Sequence, residues 1–152
     1  MAPWVGDTGA TWLGQHNHAN QLAAEACLQL GRFADAMAHA ERYERSARGE
    51  HVKCLAPWLR ARIMATEQPK ESSSEVVALL EQAAAAGDDW GSPFLVSLVL
   101  QDLLALVQLA PAERERVVSR REESLFEMTM ELDSPMRRHF DSMRSFEPKR
   151  GA

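Results

Sequence analysis

The chain is short of almost everything that β-structure, membranes and secretion use. Alternating runs of β-branched residues are missing, while alanine, leucine, glutamate and arginine dominate, so sheets are excluded as the main architecture. Only two cysteines occur, Cys27 and Cys54. Both sit among apolar residues in helical patterns and read as free thiols of a reducing compartment, not as a disulfide framework. The longest apolar run, Phe94 to Leu109, is broken by Ser97, Gln101, Asp102 and Gln108, which makes it too short and too polar to span a bilayer. The first residues carry neither a basic patch nor a continuous apolar core, so no signal peptide is expected. Basic charge is also scarce. The formal net charge is −5, concentrated in residues 67–152, and this argues against nucleic-acid binding by phosphate contacts.

Catalytic motifs are missing too. There is no glycine-rich phosphate loop, no nucleophile elbow and no paired carboxylates at metal-binding spacing. His16 and His18 would point about 200° apart on a helix and so cannot share a metal. His51 and Cys54 could share a helical face, but they lack the further ligands or the orienting carboxylate that a metal site or a catalytic dyad needs. No enzyme, no metal and no cofactor is expected.

What remains is 152 residues of globular composition, 45% apolar and 26% charged, enough for one domain with a core. Helical periodicity with capping signals at each break predicts six or seven helices. The first runs from about His16 to Leu30 and is stopped by Gly31. The second runs from about Arg32 to Ala47, with Phe33, Ala36, Met37, Ala40 and Tyr43 on one face. The third carries Val52, Leu55, Ala56, Leu59 and Ile63. Because Pro57 lies among them, it begins near Lys53 or Cys54, or else near Glu50 with a kink at Pro57. A polar loop from Glu67 to Ser74 precedes a fourth helix, capped by Ser72 with Glu75 and stopped by Gly87. Ser92-Pro93 opens a fifth helix that is apolar on nearly every side. Ala110-Pro111 opens a sixth, reaching about Met130, with a narrow seam of Val117, Val118, Leu125, Phe126 and Met128. Glu113–Arg116 and Arg120–Glu123 are expected to support it as surface pairs. A seventh, from Asp133-Ser134-Pro135 to about Phe146, presents Met136, Phe140 and Met143 as a stripe that can cap the sixth. Residues 1–15, with Trp4 and Trp12, form a docking segment, residues 16–146 the domain, and residues 147–152 a loose tail.

Ala24, Gly31, Phe33, Ala36, Ala40 and Tyr43 together have the spacing of one tetratricopeptide (TPR) unit, and residues 17 to 48 resemble that family. The later helix pairs match in outline only, and Arg48 stands where the family often has proline. The resemblance implies an all-α solenoid of stacked antiparallel hairpins pairing one with two, three with four and five with six, and a protein–protein scaffold or adaptor. It also implies that first helices line the partner-facing surface, which places Gln21, Glu25 and Gln29 on it. At the positions of the family's carboxylate clamp stand Gln21 and Glu25, so that clamp is not expected.

One further residue stands out on chemical grounds. Asp102 lies inside the most apolar helix, where an unpaired carboxylate is costly. Arg60 and Arg62, on a neighbouring helix, are its candidate partners. The alternative function is therefore a small-molecule-binding or regulatory domain with a polar groove near Asp102, Arg60 and Arg62. On the leading reading the partner is a protein or peptide and the chain a cytoplasmic subunit of a larger assembly.

Overall fold

The computed structural model describes residues 9–68, 73–130, 135, 136 and 138, with side-chain surroundings from residue 19 onwards. Six α-helices follow one another: α1 Gly9–Gln29, α2 Phe33–Ser46, α3 Glu50–Glu67, α4 Ser73–Asp89, α5 Pro93–Leu106 and α6 Pro111–Met130. There is no strand among the described residues, and no helix is long and apolar enough to cross a membrane. The fold is all-α. The Ser72 cap, the stripe residues Phe140 and Met143, Trp4 and the tail lie outside the described residues.

Two helix ends are built by the same local device. Gly31 has φ 70° and Gly91 φ 71°, conformations that cost a side chain about 1 kcal/mol or more. At the first, the Arg32 N–H donates to Cys27 O and the Gly31 N–H to Leu28 O. At the second, the Ser92 N–H donates to Gly87 O and the Gly91 N–H to Asp88 O. This is the bond pattern of a Schellman cap, which satisfies the last carbonyls of α1 and of α4. Ser92 then caps α5 by accepting from Leu95 N at 3.4 Å, with Pro93 in the first turn.

Several helix limits differ from expectation for definite reasons. Helix α1 begins at Gly9, ahead of His16. Helix α3 takes the earlier of its two expected starts, Glu50, and its helical run continues through Pro57. The proline removes one backbone donor, but its ring is buried among neighbouring helices, which offset the loss. Gly87 does not stop α4. It is buried in the last turns of that helix, and a Cβ there would stand 2.9 Å from Val96 Cγ2 and 3.7 Å from Cys54 Sγ. The glycine lets α4 approach α3 and α5 closely. Gly87→Ala should therefore destabilise, even though alanine favours helix by about 1 kcal/mol. The stiff, fully buried Val96 cannot yield, and overpacking of this kind costs about 1–3 kcal/mol. A urea midpoint that rises in the variant would contradict this.

The core is continuous along α3. Leu59 and Ile63 pack with Ala24, Leu28, Ala36 and Ala40 of the first two helices. Cys54, Ala61 and Ala65 pack with Val76, Leu80, Ala83, Val96 and Leu100 on the other side. Helix α3 is thus buried on more sides than its expected single face. The most extensive helix contacts are α3 with α4, α1 with α2 and α5 with α6. Helix α1 also touches α3, and α3 touches α5, whereas the backbones of α2 and α4, and of α4 and α6, do not come close to each other among the described residues. The odd-numbered helices lie side by side.

The α6 seam is narrower than its sequence suggested. Val117, Ser124, Leu125 and Thr129 are buried, while Val118 and Phe126 are exposed. Neighbouring positions on a helix diverge by about 100°, which carries Val118 and Phe126 off the seam that holds Val117 and Leu125. Arg120 pairs with Asp88 of α4 instead of Glu123, which ties α6 back to the end of that helix.

Candidate functional site

Helix α3 carries His51, Leu55, Trp58 and Arg62 at spacings of four, three and four residues, which sets them along one side. That side faces Gln21 and Glu25 of α1 on one flank and Leu95 and Asp102 of α5 on the other. Two features result, separated by the Trp58 ring.

The first is a polar bridge across three helices. Arg62 Nη1 binds Glu25 Oε1, and Arg62 Nε lies 3.5 Å from Asp102 Oδ2. Trp58 Nε1 donates to Asp102 Oδ2 at 2.7 Å. The Arg62 guanidinium stands 5.8 Å from the centre of the Trp58 ring. All three charged side chains are about one-quarter to one-third exposed, so their interactions are only partly screened. The expected pairing of Asp102 with Arg62 is present. Arg60 points elsewhere, 3.5 Å from Glu44 of α2, because residues two apart on a helix face nearly opposite ways. Gln29 is exposed at the end of α1.

The second is a pocket of about 520 Å³ at the other end of the row, within the range of ligand-binding cavities. Leu55, Trp58, Trp90 and Leu95 supply apolar wall, and Gln21, Arg48 and His51 supply polar groups. The His51 and Trp90 rings meet at 5.9 Å with a 46° tilt. Arg48 Nη1 donates to Arg45 O at 3.0 Å and Ala47 O at 3.2 Å, so the carbonyls at the end of α2 hold the guanidinium in place. Tyr43 lines the pocket from α2, and its hydroxyl is buried with no hydrogen-bond partner among the described residues. Burial pushes the Tyr43 phenol up to about 12, and its neighbour Cys54 adds to this. Burial likewise pushes the Cys54 thiol up to about 11. Both groups are protonated at neutral pH, and Cys54 is a thiol without nucleophilic character.

Of the residues singled out in the sequence, Gln21 lines the pocket, and Glu25, Arg62 and Asp102 brace its Trp58 wall. Tyr43, Arg48, Leu55, Trp58, Trp90 and Leu95 were not selected as site residues. The one available signal was the spacing of His51, Leu55 and Trp58 along α3, which reads equally well as core. No group of three metal-ligating side chains occurs among the described residues. In comparisons with known proteins, the chain matches no family model, no curated protein and no solved structure.

Proposed function

We propose that the chain is a non-catalytic partner-binding scaffold, a TPR-like stack of three hairpins whose working face is the groove over α1, α3 and α5. The observation that carries this reading is the direct contact of α1 with α3 and of α3 with α5, with an aromatic-walled pocket opening among them. Hairpins that stack through their first helices leave those helices as a continuous surface, and an extended segment of another protein can lie across it. The net charge of −5 favours a protein partner over nucleic acid. Two free thiols agree with a reducing, cytoplasmic setting. Asp102 and Arg62 serve as internal supports: their charges are spent on each other, on Glu25 and on Trp58.

The test is selection from a displayed library of random peptides. The protein should enrich a shared sequence pattern. Leu55→Glu, which puts a charge on the apolar wall, should abolish that binding, while Glu41→Lys on the exposed side of α2 should not. Failure to enrich any pattern, or binding that survives Leu55→Glu in a variant shown to be folded by circular dichroism, would overturn the reading.

A further inference from the structure

We infer that the pocket takes a peptide segment in which an acidic side chain stands beside a large apolar one. This rests on the groove reading above and narrows its partner. The argument begins with charge. The chain is acidic overall, yet no carboxylate lines the pocket among the described residues. Five carboxylates on the surrounding helices already have cations: Glu25 and Asp102 have Arg62, Glu44 has Arg60, Glu50 has Lys53 and Asp88 has Arg120. Arg48, like Arg42 and Arg45, has no carboxylate partner among the described residues, and of these three it is the one that lines the pocket. Its guanidinium meets two backbone carbonyls and no carboxylate among the described residues, so its remaining N–H groups are left for an acceptor at the pocket edge.

The chemistry of Arg48 points the same way. A guanidinium only donates, so what it meets at the pocket edge must be an acceptor, and a carboxylate is the acceptor that also answers the charge. The walls set the other half of the chemistry. The Trp58 and Trp90 rings with Leu55 and Leu95 leave space for an apolar side chain of aromatic size. Trp58 is held in position by its bond to Asp102, so this wall is formed before a ligand arrives.

The experiment uses fluorescein-labelled peptides with amidated C-termini, so that the only carboxylate offered is a side chain. Three carry a central Glu-Phe, Gln-Phe or Glu-Ala between Gly-Ser flanks, and binding to the full chain is read by fluorescence polarisation. The Glu-Phe peptide should bind at least about tenfold more tightly than either of the others, the usual worth of one charge-assisted hydrogen bond or one buried aromatic. Arg48→Gln should lower Glu-Phe binding to the Gln-Phe level and leave Gln-Phe binding unchanged, while Arg48→Lys should keep part of the preference. Arg48 is exposed, so these variants should melt as the parent does. Equal binding of Glu-Phe and Gln-Phe, equal loss of both in Arg48→Gln, or no Glu-Phe binding at millimolar concentration would each overturn the inference. If library-selected peptides still depend on Leu55 while the acidic preference is missing, the groove stands and only its acidic selectivity falls. If Leu55→Glu leaves all peptide binding intact, the groove reading itself has failed.

Discussion

Raising the pH from about 9 to about 12 is expected to remove on the order of 5 kcal/mol of folding stability through two side chains, Cys54 and Tyr43. Their ordinary values are 9.0 and 10.0, and in the folded protein burial raises them to about 11 and about 12. The unfolded chain therefore gives up these protons first. Between the two values it binds fewer protons than the folded chain, so stability falls as pH rises. Their contribution is fully present below about pH 9 and gone by about pH 12. Tyr43 is the only tyrosine, so tyrosinate absorbance reads this one group. Its appearance should coincide with loss of helical circular dichroism instead of preceding it. A Tyr43 that ionises near its ordinary value with the helices intact would show that the hydroxyl is not buried as described.

Tyr43→Phe extends the same prediction. The hydroxyl is buried without a partner, and such a group costs about 1–3 kcal/mol of desolvation. The variant should be at least as stable as the parent at neutral pH and should lose less stability with alkali.

Removing Arg62 should have the other large effect. Arg62→Met preserves the length and apolar stem of the side chain but leaves Glu25 and Asp102 on facing helices without their cation. Breaking a partly buried ion network in this way is expected to cost about 2–3 kcal/mol at neutral pH, below the figure for a fully buried pair because the group is about one-quarter exposed. The loss should shrink in the triple variant Glu25→Gln, Arg62→Met, Asp102→Asn, which removes the uncompensated charges together. Urea unfolding of the single and triple variants distinguishes these cases. Trp58 emission should shift in the single variant, since Asp102 would no longer be held beside its indole. A single variant as stable as the parent would mean that the bridge is a surface pairing of little consequence.

What the sequence determined was local. Alanine-rich periodicity, Gly31 at the end of the first helix, and the Ser92-Pro93 cap are short-range devices, each satisfied within one or two helical turns, so the all-α fold was legible from them. The importance of Asp102 was legible too, since a carboxylate in an apolar helix must find a partner. Which partner it found was decided by the packing of α3 against α5: Arg60 and Arg62 are chemically alike, and only helix rotation separates them. Gly87 marks the same boundary. As a residue it reads like a helix stop, and only the close approach of Val96 and Cys54 explains why it stands inside α4. The pocket was invisible for the same reason. Gln21, Arg48, Leu55, Trp90 and Leu95 lie far apart along the chain, and each alone reads as surface or core. Tertiary structure brings them to one place because α3, packed on both flanks, fixes α1 and α5 beside it, and the space left between their ends is set by the packed volume of all three helices and not by any residue alone.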